Sequence, residues 1–133
     1  MKDPTPRSLL RMLAAVIAPG AATFASWWLF LGLDPNNTYS VPQCAGLVLL
    51  LIAIGVAAAW VSRAGERAAV IVSAGLGISV GCFTSWMDDP TGLFLLGWMM
   101  LTPPAFLGAA VVVLFTAAVK DSRDNNELAI HSN

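Results

Sequence analysis

Along the chain, four long apolar stretches alternate with short polar breaks. The stretches run over about 9–33, 41–62, 68–87 and 93–119. The breaks are Asp34-Pro35-Asn36-Asn37, then Arg63-Ala64-Gly65-Glu66-Arg67, then Asp88-Asp89-Pro90-Thr91-Gly92. Residues of these types end regular structure, because Gly and Asn accept left-handed backbone and Pro fixes φ. Each stretch reaches the roughly 20 apolar residues that a helix needs to cross the hydrocarbon layer. None alternates apolar with polar positions, as a strand of a membrane barrel must. The pattern therefore predicts an all-α chain. It would be an integral membrane four-helix bundle, a single transmembrane domain over 1–133 with a polar cytoplasmic tail over 120–133.

Composition points the same way. Hydrophobic residues make up 57% of the 133 positions and charged residues only 11%, against about 25% charged in soluble domains. A soluble domain of this size could not hide so much apolar surface. The first stretch has the basic start of a secretory signal. Its apolar run continues through Trp27 to Leu33, past the length of a signal's apolar core, so it reads as a true span. The formal net charge of −1 gives no basis for nucleic-acid binding, which needs a basic excess.

The placement of charge predicts orientation. Lys2, Arg7 and Arg11 sit at the start of the first stretch, Arg63 and Arg67 lie in the middle break, and Lys120 and Arg123 follow the fourth stretch; these are all seven basic residues. The other two breaks carry Asp34, Asp88 and Asp89 instead. Cytoplasmic segments collect Lys and Arg, so both termini are expected inside the cell membrane. Trp27, Trp28 and Trp86 near the outer ends, and Trp60 near an inner end, suit interfacial anchoring.

Packing between helices in lipid depends on close backbone approach, because the lipid removes most of the hydrophobic drive. The third stretch carries small residues every fourth position, at Ala69, Ser73, Gly77, Gly81 and Ser85. The first has a similar row in Ala14, Ala18, Ala22 and Ser26. Both rows are candidate helix-packing faces, toward either this chain or a second copy. Pro19, and the pair Pro103 and Pro104 after Thr102, remove backbone donors within spans. The first and fourth helices are therefore expected to kink there, and the fourth to remain one helix. If the protein carries a solute, Pro19, Thr102, Pro103 and Pro104 are the candidate pathway residues. The two halves echo one another, with Phe24-Ala25-Ser26-Trp27 against Phe83-Thr84-Ser85-Trp86 and Asp34-Pro35 against Asp89-Pro90. A duplication would relate the halves by an axis along the membrane normal; the recurring jobs of Trp, Ser and Pro in any membrane hairpin also account for the echo.

Candidate chemistry is sparse. Beyond Arg11 at the start of the first stretch, no Asp, Glu, Lys, Arg or His lies inside a span. Ion-coupled transporters and proton relays normally place an ionisable group at that depth. Asp88 and Asp89 form a possible external acidic site, though a calcium ion needs six to eight oxygens and the loop supplies few. His131 stands alone in a tail expected to be disordered from Asn125 onward, and one histidine makes no metal site. Asn36-Asn37-Thr38 matches a glycosylation sequon. Cys44 and Cys82 both fall toward the outer side and are expected to be free thiols.

These readings imply no cofactor, no metal and no catalytic site. The expected function is a non-enzymatic accessory or assembly subunit of a membrane complex. Its partners would be the lipid bilayer and another membrane protein or a second copy. The alternatives are a homo-oligomeric small-solute transporter or channel, and a holin-like pore former.

Overall fold

In the computed structural model the described residues are 6–32 and 39–131, with side chains described over 8–32 and 39–130. The Asp34 turn, the sequon at Asn36 and the basic side chains of Lys2 and Arg7 lie outside them. The fold is all-α and 91% helical. Helix α1 spans Pro6–Trp27 and widens into a π turn over Trp28–Gly32. Helix α2 spans Val41–Val61, α3 spans Arg67–Trp86 and α4 spans Phe94–His131. All four are long and apolar enough to cross a membrane.

The helix ends follow from local chemistry. At the start of α2, Gln43 folds back so that its Oε1 accepts the Ser40 N–H at 2.9 Å, and Pro42 occupies the first turn, where its missing donor is not needed. At its end, the Ser62 hydroxyl donates to Ala59 O at 3.2 Å. The Arg63 N–H then donates to Glu66 Oε2 at 3.0 Å, which closes a 3₁₀ turn over Ala64–Glu66 and starts α3. Between α3 and α4 the chain reverses through Gly92, whose φ of +69° suits glycine.

The main packing is of α1 on α3 and α2 and of α4 on α3 and α2, while α2 and α3 touch only lightly. The pairs α1 with α4 and α2 with α3 therefore occupy the diagonals of a square. Contacts along the helices show that α1 and α3 run parallel, since Gly20 meets Ser73 and Trp27 meets Ser85. The echoed segments of α1 and α3 lie side by side on these parallel helices.

Two packed plugs hold the square together. One, toward the Asp88–Asp89 end, buries Trp27, Leu31, Leu47 and Cys82 under Phe30, Tyr39, Trp86 and Trp98. The other, toward the basic end, buries Ala59, Val70 and Val113. Aromatic edges lock the first plug: Trp27 meets Trp86 edge-on at 6.1 Å, and Phe83 meets Trp98 at 5.7 Å. Each indole N–H there finds an acceptor, with Trp27 donating to Ser85 Oγ at 2.8 Å, Trp86 to Tyr39 Oη at 2.7 Å and Trp98 to Ser79 O at 3.0 Å. At the other end, Arg67 pairs with both Asp121 oxygens at 2.8 and 3.0 Å, and Lys120 Nζ donates to Trp60 O at 2.8 Å.

The tail corrects the expectation of disorder. Helix α4 continues through Asn125 and Asn126 to His131, although every described side chain from Asp121 to Ile130 is exposed. Starting a helix is unfavourable, but extending one is not. The preceding turns of α4 supply the nucleus that the tail alone lacks.

Candidate functional site

The third helix supplies a small-residue face, and α1 covers it. Gly77 lies against the Gly20 carbonyl and the Thr23 hydroxyl, with no room for a Cβ; at Gly81 a Cβ would stand 2.9 Å from the Trp27 ring. Ser73 does more than fill space. Its hydroxyl accepts the Gly20 N–H at 3.0 Å and donates to Val16 O. Those are the two backbone groups that an ordinary α-helical turn would pair with each other. Pro19 has no N–H for the turn beneath it and crowds that turn's carbonyl. The Ser73 hydroxyl thus bonds the α1 backbone next to the residue that lacks a donor. Ala69 is half-buried beside Val16 on the same seam.

The other small row lies elsewhere. Ala14, Ala18 and Ala22 line a groove of about 470 Å³ between α1 and α2, with Arg11 and Glu66 at its polar end. The α1 face that meets α3 is instead Val16, Gly20, Thr23 and Trp27. Periodicity found a small-residue row on α1, and the helix turns a different face to α3.

Between the two plugs, at mid-bundle, all four helices enclose an apolar chamber of about 450 Å³. Pro19 and Thr23 of α1 and Val70, Ala74 and Ile78 of α3 form its back wall. Its front consists of α2 from Val48 to Ala58 and α4 from Pro104 to Val113. The back wall is largely buried, while Val48, Ile52, Gly108 and Val111 are exposed, so the chamber opens sideways between α2 and α4. The Thr23 hydroxyl on its wall lies 3.0 Å from Gly20 O and 3.1 Å from Ala74 O and is thereby occupied.

The pathway candidates fall around this chamber. Pro19 is buried on its wall and Pro104 stands at its rim. Thr102 sits beyond the rim, where its hydroxyl donates to Trp98 O at 2.8 Å and lies 3.1 Å from Ser79 Oγ. Pro103 is exposed on the outer face of α4, which passes the proline pair without a break. The remaining described span hydroxyls, such as Ser26, Thr84 and Thr116, donate to carbonyls one turn back on their own helices.

The acidic pair is a turn. Asp89 Oδ1 accepts the Thr91 N–H at 3.0 Å and the Thr91 hydroxyl at 2.8 Å, which holds its carboxyl below the usual carboxylate range; the backbone bond is the larger cause. Asp88 is exposed. Among the described residues no group of three potential metal ligands converges. Cys44 is exposed, Cys82 is buried, and both are free thiols.

No family model, curated protein or solved structure matches this chain. Its reading therefore rests on the geometry. The chamber was not visible in the apolar pattern. A signal existed in the small residues Gly55 and Ala58 on α2 and Ala105, Gly108 and Ala109 on α4, which thin the walls of two facing helices at the same depth.

Proposed function

We infer that this is a multi-pass integral protein of the cell membrane that works by contact within the bilayer, without catalysis, as an accessory or assembly subunit. In this reading both termini and the Arg63 turn face the cytoplasm and the Asp88 turn faces outward. The observation that carries it is the interior: the described polar groups within the spans are tied to nearby backbone or to each other, and the chamber that all four helices line is apolar. A hydrated solute path needs donors and acceptors free to replace water, and Thr102, its best candidate, is committed to Trp98 and Ser79. That arrangement supports the contact function over the transporter or pore former.

The test is extraction in mild detergent followed by native mass spectrometry. An integral membrane partner at fixed stoichiometry is the expected result. A sharp homo-oligomer that also passes solutes in proteoliposomes would overturn the reading.

A further inference from the structure

Resting on the membrane placement above, we propose that the mid-bundle chamber is a binding site for one acyl chain of a membrane lipid, which enters sideways between α2 and α4. Two glycines on the facing helices define the opening. At Gly55 a Cβ would stand 2.7 Å from Val112 Cγ1, so the seam is closed there by direct packing. At Gly108, one turn away along α4, a Cβ would meet nothing within 4 Å. The seam thus seals on its basic side and gapes at Gly108, between Val48 and Ile52 on one rim and Val111 on the other.

The chemistry of the lining selects the guest. The one hydroxyl among the described lining side chains, on Thr23, gives its proton to backbone carbonyls and leaves water only an acceptor, fewer than the two to four partners a buried water needs, so this apolar lining favours a dry chamber. The volume of about 450 Å³ falls within the range of small-molecule sites. At mid-span the material outside the mouth is acyl chain, and the rims that flank it are apolar and exposed, with Val48 at 54% and Val111 at 66%. The guest is therefore the tail of a lipid already beside the protein. At the basic end of the same seam, Lys120 Nζ lies against Trp60 O, about 10 Å along α4 from Val113, at the level a headgroup would occupy.

The test is photolabelling of the full chain, reconstituted in phosphatidylcholine–phosphatidylglycerol vesicles that contain a phosphatidylcholine with a mid-chain diazirine. Adducts are then mapped by mass spectrometry. Outward-facing Leu49, Val56 and Phe115 report on the bilayer, whereas half-buried Ile78 on the far wall reports on the chamber. Label on both is expected. Gly108→Leu, whose side chain grows into open space, should remove the Ile78 label and leave the outward label intact. Outward label without Ile78 label overturns the acyl-chain site and leaves the membrane placement standing. Loss of label from Val48 and Val111 together with Ile78 would mean that a second copy covers the mouth, and also overturns it. Absence of label everywhere would overturn the membrane placement itself.

Discussion

Ser73 shows how one hydroxyl carries a joint between helices. It bridges the Gly20 N–H and the Val16 carbonyl of α1 beside Pro19. Ser73→Ala should destabilise the bundle by about 1–2 kcal/mol, above the roughly 0.6 kcal/mol average for interhelical hydrogen bonds in lipid, because two backbone groups lose their partner together. In a Pro19→Ala background the helix regains the donor at 19 and its turns no longer lean on α3, and the same substitution should then matter less. Unfolding in mixed micelles measures the cycle, and strictly additive effects would refute the bridge. Asp89 provides a second prediction at this scale. Its folded pKa is depressed, so its contribution is present above the unfolded value, near 3.9, and is lost as pH falls through the folded value. Thr91→Ala keeps the backbone donor and removes the hydroxyl, so carboxyl NMR should show the Asp89 titration move up part of the way toward an ordinary aspartate. An unmoved titration would mean that the hydroxyl plays no part.

At the scale of the element, the four helices were legible because each long apolar run ends at a cluster of polar and turn-forming residues. The observed ends at Val61, Arg67, Trp86 and Phe94 fall where Ser62, Arg63, Asp88 and Gly92 interrupt the apolar runs. The neighbours of each helix were not legible. Val48, Leu49 and Ile52 on α2 are exposed and Leu47 is buried, yet all are aliphatic, so no polar face marks which side turns inward. The row at Ala14, Ala18 and Ala22 lines the groove beside α2, and its spacing did not say which neighbour it would meet. The contact of α1 with α3 centres on Gly20 beside Pro19, where the missing side chain lets Ser73 reach the α1 backbone. The tail of α4 was misread for a related reason: apolar periodicity measures burial, and residues 121–130 are helical without being buried. Helicity sustained only by its neighbour should be weak. Amide hydrogen exchange is expected to be fast beyond Ser122 and slow around Val113 and Thr116, which are buried. Uniform protection through Ile130 would show that the tail has a partner of its own.

For the whole molecule, the described Lys and Arg side chains gather at one end of the bundle, at Arg11, Arg63, Arg67, Lys120 and Arg123, and the Asp88–Asp89 turn occupies the other. The bundle thus has a sense of direction before any membrane is considered. Membrane insertion retains short basic segments on the cytoplasmic side, and the proposed orientation rests on that rule. Two positions test it with little disturbance. Gly65 sits in the basic turn, where a Cβ would meet nothing within 4 Å, and Pro90 is exposed in the acidic turn. In intact cells an impermeant maleimide should modify Pro90→Cys and should reach Gly65→Cys only after permeabilisation. Cys44 is replaced by Ala to remove its exposed thiol, while buried Cys82 stays. The reverse pattern would invert the bundle, placing the Arg67–Asp121 pair outside and separating the closed, basic end of the α2–α4 seam from the anionic leaflet. Modification of both positions in intact cells would mean that the chain does not cross the bilayer between them, and the chamber would then no longer lie among lipid tails.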